Sequence, residues 1–251
     1  MSTLKLAGMR LLLGSGGFRT PDRLALLTDQ MRSFFGEEAK ILFVPYALSN
    51  HDRYVEVMTE KGLNAGFVLR GIHRERDPIR AVREAGAIYV GGGNTFRLLN
   101  ALYELDLVAA IREQVRGGLP YMGVSAGTNV ACPTMMTTND MPIVQPPSFN
   151  AFGLVPFQVN AHYFSGDTYV RTGDSYSRHF GETRDDRLRE FHEMNDTPVI
   201  GLREGGLIRV EGESYTLAGS SARVFLKGEA PADVEPGGTI WPPPGASLDF
   251  K

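Results

Sequence analysis

Ser125 stands between Gly123 and Gly127 in the run GLPYMGVSAGTNVACPTMMTTND, Gly118 to Asp140, which reads as a short buried strand breaking into a helix with the serine at the break. The G-x-S-x-G spacing is that of a nucleophile elbow, a strained turn that tolerates only small residues on either side and pushes the hydroxyl outward. The backbone N–H of Ala126, at the start of the new helix, would then face an oxyanion formed during acyl transfer. Serine attack also needs a base and a carboxylate to orient it. Of the five histidines, His51 starts a helix, His73 sits among charges in GIHRERD and His192 lies on a charged helix, and all three read as solvated. His162 ends the apolar run FQVNAH, a strand that would deliver it to a loop, where catalytic side chains are usually presented. Two carboxylates have structural logic, Glu204 in LREGG just after a buried strand and Asp140 in the TTND turn. The residues alone leave both open.

The elements that must position these groups alternate in kind. Met9–Gly14, Lys40–Pro45, Gly66–Leu69 and Ala87–Val90 read as strands, and helices start at Pro21, near His51 and by Pro78. Two more helices, about Thr95–Tyr103 and Asp106–Arg116, lead to the strand before Ser125. The expected fold is a doubly wound α/β domain over residues 1–251, with a mostly parallel sheet flanked by helices and a small C-terminal β-hairpin region. Ligands of such sheets bind outside the carboxyl ends of the strands. The GGGN turn, Gly91 to Asn94, lies at one such end, so Gly93 can supply a second oxyanion donor while Asn94 caps the following helix. That turn lacks the lysine of a phosphate-binding loop and the spacing of a dinucleotide fingerprint. Gly166–His179 reads as a surface loop near the cleft, Gly181–Asn195 as a charged helix with Leu188 and Phe191 inward, and Pro198–Leu202 as a buried strand. Hairpin strands are expected at Leu207–Val210, Ser214–Leu217 and Arg223–Leu226, before a Pro/Gly-rich tail holding Trp241.

Composition narrows the partners. A net charge of −3 gives no general attraction to nucleic acid or anionic membranes, and no apolar run approaches a membrane span. One cysteine, Cys132, fits a reducing compartment, and Met1–Arg10 lacks the apolar core and cleavage site of a signal peptide, so cytoplasmic residence is expected. The expected partner is a small peptide, with a second copy of the chain, as a homodimer, for assembly.

The stretches VGGGNTFRLL at Val90–Leu99, GVSAGTNVACPTMMTTNDMPIV at Gly123–Val144, NAH at Asn160–His162, GETRDDRLRE at Gly181–Glu190 and VIGLREG at Val199–Gly205 resemble the peptidase E family of aspartyl dipeptidases. The resemblance implies a serine exopeptidase cleaving Asp-X dipeptides without metal or organic cofactor. Ser125 would be the nucleophile, His162 the base and Glu204 the triad acid. Asp140 matches a family aspartate also regarded as catalytic, or one that contacts the substrate amino group. Arg184 would pair with the substrate aspartate, its alternative being an ion pair with Asp185 or Glu190, and Asn94 and Asn139 are further substrate-binding candidates. Two features depart from the family: Ala161 replaces a proline, and the segment after His162 is longer than expected. Competing readings are a cyanophycinase-like hydrolase of β-Asp-Arg, a glutamine amidotransferase using Cys132, since the same sheet resembles class I glutamine amidotransferases, and a non-catalytic binder of acidic peptides.

Overall fold

A computed structural model of the chain describes residues 8–36 and 39–243, so most of the Met1–Arg10 segment and the end of the tail lie outside the described residues. Five parallel strands form the centre: β1 (Arg10–Gly14), β2 (Ile41–Val44), β3 (Leu69–Gly71), β4 (Ala87–Val90) and β5 (Tyr121–Val124). They lie in the order β1-β5-β4-β2-β3. Helices α1 (Pro21–Phe35) and α2 (His51–Glu60) cover one face, and α3 (Pro78–Arg83), α4 (Thr95–Glu104), α5 (Leu107–Arg116) and α6 (Ala126–Ala131) the other. Burial on both faces explains why the strands read as unbroken apolar runs. In β1, Leu11 and Leu13 join the cluster under α4 and α5, while Leu12 joins the one under α1. The doubly wound centre is thus the one expected from alternating strands and helices.

The chain departs from expectation in three places, two of them beyond α6. First, β6 (Gln158–Tyr163), β9 (Val199–Arg203), β12 (Ala222–Phe225) and β13 (Ala232–Val234) form a second sheet in the order β13-β12-β9-β6. The expected C-terminal hairpin is present as β10 (Leu207–Glu211) and β11 (Ser214–Ala218), and with β14 (Thr239–Trp241) it extends the main sheet antiparallel beside β1. Trp241 is buried against Phe157, so the tail carries part of the core. Second, the expected loop at Gly166–His179 is an exposed hairpin, β7 (Thr168–Thr172) and β8 (Ser175–His179), turning at Gly173 with φ 61°. Its β-branched and aromatic residues, and the Gly-Asp turn between them, are the local cause. Third, β3 begins later than Gly66, because Ala65 and Gly66 take positive φ and the Asn64 amide donates to Phe67 O at 2.7 Å, which holds a tight turn there.

Between them, α7 (Arg184–Met194) starts in a reciprocal cap, with the Thr183 hydroxyl accepting from Asp186 N and the Asp186 carboxylate accepting from Thr183 N. Leu188 is buried as expected and Phe191 half-buried. His192, expected in solvent, is buried and bonds Thr197 O. Among the described residues no helix is long and apolar enough to cross a membrane.

Candidate active site

Ser125 follows β5 at the carboxyl edge of the main sheet, with φ 53° and ψ −108°. Its N–H donates to Gly14 O at 2.9 Å and its carbonyl accepts from Thr128 N and Asn129 N, so the turn passes directly into α6. The flanking glycines are required by contact. A Cβ at Gly123 would lie 2.4 Å from Gly127 O, and one at Gly127 would lie 2.1 Å from Val90 O on β4. A serine held at this φ costs about 1–3 kcal/mol, which persists only where the surroundings over-determine it. Here they do: α6 is wholly buried, and the Thr128 hydroxyl lies 2.7 Å from Gly14 O and 2.8 Å from Gly123 O.

His162 comes from the other sheet, near the end of β6 where the pairing with β9 shifts, and it too has positive φ, 57°. Its N–H donates to Ser15 Oγ at 2.8 Å, and the Ser15 hydroxyl donates to Leu202 O at 2.8 Å. That pair of bonds ties the end of β1 to both β6 and β9. The imidazole then spans two partners, Ser125 Oγ at 2.7 Å from Nε2 and Glu204 Oε1 at 2.7 Å from Nδ1. A carboxylate accepts only, so Nδ1 carries the proton and Nε2 is free to accept from the serine hydroxyl. Glu204 immediately follows β9, and the next N–H, that of Gly205, donates to Gly16 O at 2.7 Å. His162 and Glu204 each keep 42% of their side-chain surface open, so the chain of bonds is accessible from solvent.

Asp140 stands elsewhere. Its carboxylate accepts from Thr95 N at 2.7 Å, the Thr95 hydroxyl at 2.6 Å and the Thr138 hydroxyl at 3.0 Å, at the N-terminus of α4. Of the two carboxylates left open by the sequence, geometry therefore brings Glu204 and not Asp140 to His162. Asn94 caps α4 as expected, accepting from Arg97 N, and donates to Met141 O. Asn139 donates to Ala161 O and accepts from Asn160, so its amide is occupied within the fold, next to His162. The GGGN turn runs alongside the elbow, since a Cβ at Gly92 would lie 3.2 Å from Ser125 Cβ. Gly91 N and Asn94 N are spent on Val44 O and Ala47 O. The N–H groups of Gly92, Gly93 and Ala126 find no acceptor among the described residues.

Arg184 opens α7, its guanidinium 5.6 Å from the ring centre of Phe164, two residues beyond His162. The alternative ion pair does not form. Asp185 is taken by the Tyr163 hydroxyl and Arg223, and Arg184 enters none of the ion pairs among the described residues. Its Nε is buried without a partner, and burial, then Arg187, lowers the guanidinium pKa. Among the described residues no His, Cys, Asp and Glu side chains cluster as a metal site.

Residues 10–218 match the model of peptidase family S51. The chain belongs to peptidase family S51. Peptidase E of Streptomyces coelicolor is 51% identical over 213 residues, covering 84% of this chain and 85% of that protein. A Drosophila melanogaster protein described as "Probable alpha-aspartyl dipeptidase" is 48% identical over 211 residues, covering 84% and 82%. A crystal structure of a peptidase from an acI-B1 Actinobacterium superposes with a TM-score of 0.62 at 17% identity, covering 93% of this chain and 98% of that one, a likeness of fold.

Within this S51 chain, one part of the site went unread in the sequence. Ser15-Gly16-Gly17 looks there like a mere strand end, yet a Cβ at Gly16 would lie 2.6 Å from His162 Cε1 and one at Gly17 only 1.9 Å from Glu204 Oε2. The signal was present as two adjacent glycines at a strand's carboxyl end, the same signal that picked out GGGN. Cys132 is fully buried and burial pushes its thiol up to about 12, so it presents no nucleophile to the S51 cleft.

Proposed function

We propose that the chain is a serine exopeptidase that hydrolyses Asp-X dipeptides through an acyl-enzyme, with Ser125 as nucleophile, His162 as base and Glu204 as the acid that orients it. The observation that carries this reading is the unbroken Ser125–His162–Glu204 chain of 2.7 Å bonds at a strained elbow. As Ser125 Oγ attacks the aspartyl carbonyl, His162 Nε2 takes its proton, and the imidazolium is stabilised by Glu204. The oxyanion meets the N–H groups of Ala126 and Gly93. His162 then returns the proton to the leaving amine, and a water, deprotonated by the same Nε2, releases aspartate.

Selectivity for aspartate rests on Arg184. A half-buried guanidinium without a carboxylate favours a ligand that brings one, and its planar fork suits bidentate pairing. Asp140, with its three donors, organises the start of α4 and the GGGN turn in this scheme rather than touching the imidazole. Asn94 and Asn139, whose side chains bond Arg97 N, Met141 O, Ala161 O and Asn160, contribute backbone placement beside the site. Assembly as a homodimer is part of the reading, supported by the exposed Tyr169, Tyr176 and Phe180 around the β7–β8 hairpin. So is cytoplasmic residence, supported by the lone free thiol.

The test is a dipeptide panel. Ser125→Ala should abolish Asp-Leu turnover with an unchanged melting temperature, and Arg184→Ala should lower kcat/KM for Asp-Leu by about 30-fold or more, as expected when one partner of a desolvated ion pair is removed. The variant should also lose the preference for Asp-Leu over Asn-Leu. Full activity in Ser125→Ala, or an intact aspartate preference in Arg184→Ala, would overturn the respective assignment.

A further inference from the structure

Three strand ends surround the candidate triad, and the same three wall a cavity of about 550 Å3 on the α1–α2 side of the sheet: Gly16 and Gly17 after β1, Gly92 after β4, and Val124 next to Ser125. Ligand pockets for small molecules fall in this range of volume. Its outer walls are apolar, with Phe18, Leu24, Tyr54 and Met58 among them, and Tyr54 is fixed there by donating to Gly92 O at 2.8 Å. Two cations line it, Arg19 on the loop that carries Gly16 and Gly17, and Lys61 at the end of α2. Both are exposed, and neither belongs to any ion pair among the described residues.

We infer that this cavity holds the second residue of the dipeptide, its side chain against the apolar walls and its free carboxylate on Arg19. The inference rests on the Asp-X reading above and adds which X is favoured and why only dipeptides fit. The direction follows from proton traffic. The leaving amine must receive its proton from His162 Nε2, so X departs along the imidazole, and the backbone lying against that ring is Gly16. Gly16 and Gly17 border both the triad and the cavity, so the two sites meet at main chain that carries no side chain to separate them further. The carboxylate of X lies within one residue of the scissile bond, about 3.8 Å per Cα step, so its anchor must come from the near wall. Arg19, two residues past Gly17, meets that condition, whereas Lys61 sits at the far end of α2. A longer peptide would replace the carboxylate with an uncharged amide and leave Arg19 unpaired.

The expected profile is a preference for large apolar X and for a free C-terminus. The wild type should cleave Asp-Leu with kcat/KM at least about tenfold above Asp-Gly, as an apolar pocket discriminates by side-chain size. It should also favour Asp-Leu over Asp-Leu amide. Arg19→Ala should erase the acid-over-amide preference while keeping Asp-Leu ahead of Asn-Leu. Val57→Trp, which fills the cavity from the half-buried face of α2, should bring the Leu-to-Gly ratio towards one. If that variant misfolds, the Arg19 arm decides. Asp-X turnover that is blind to X and to amidation, or an acid-over-amide preference that survives Arg19→Ala, overturns the pocket assignment and leaves the Asp-X reading standing. A wild type that cleaves no Asp-X dipeptide removes both.

Discussion

Gly17→Ala is a one-carbon change that should disable the site while sparing the fold. A Cβ there would fall 1.9 Å from Glu204 Oε2 and 2.7 Å from its Cδ, where real contacts stay beyond 3.0 Å, so the carboxylate must retreat by about 1 Å or more. Its bond to His162 Nδ1 is 2.7 Å, and a retreat of that size takes it past the range of a hydrogen bond. A misplacement of about 1 Å costs roughly 10²-fold, and loss of the orienting carboxylate up to about 10⁴-fold in kcat. The expected fall in kcat on Asp-Leu therefore lies between those limits. Stability should fall by only about 1–2 kcal/mol, because the atoms that must shift most are the carboxyl end of a side chain and an alanine in the left-handed region costs about that much. Gly212→Ala is the matched control: φ is +60°, nothing lies within 4 Å, and the position is at the β10–β11 turn. Initial rates by leucine release, with melting curves of all three proteins, complete the assay. If Gly17→Ala keeps kcat within about threefold of Gly212→Ala, the contact between the β1 loop and the triad acid has no catalytic weight and the argument fails.

Two further predictions follow from the same structure. Glu204→Gln and Asp140→Asn should separate: the first loses about 10⁴-fold in kcat at constant melting temperature, while the second weakens a charge-assisted cap, lowering stability by about 1–3 kcal/mol with most of kcat retained. The reverse pattern would make Asp140 the acid. Alkaline pH should loosen the fold, because burial pushes the Cys132 thiol and the Tyr46 phenol each up to about 12. Between the unfolded thiol's value near 9 and that limit the folded chain retains protons that the unfolded chain has lost, so the unfolded state binds fewer and stability declines as pH rises. A melting temperature that stays flat from pH 9 to 11 by circular dichroism would refute this.

Much of the site was legible because its constraints are local. Gly123 and Gly127 flag the elbow since strand and helix fold back on each other within five residues, and His162 is flagged by the apolar run that ends on it. The choice between Glu204 and Asp140 was not legible, because each follows an element at the same edge and only tertiary placement distinguishes a partner of His162 from a partner of Thr95. Ser15, Gly16 and Gly17 act on residues more than 140 positions away, a dependence that no local pattern encodes. For the fold, alternation predicted the parallel centre. It could not say that β10 and β11 return beside β1, because which sheet edge accepts a hairpin depends on surfaces formed later. The β7–β8 hairpin was hidden by polar composition, although its Gly-Asp turn was in view.

Ser125 belongs to one sheet, and His162 and Glu204 to the other. If the three act as proposed, a chain that ends after β5 and α6 carries the serine without its base, which arrives only with β6 and β9 and their bonds to the end of β1. The proposed triad is thereby a property of the joint between the two sheets rather than of either alone. The same joint is a natural place for breathing: if the smaller sheet opens as a unit, Ser15 releases both strands together and activity stops while the larger sheet remains closed. Amide exchange at His162 and Gly205 would count the molecules caught in that resting form.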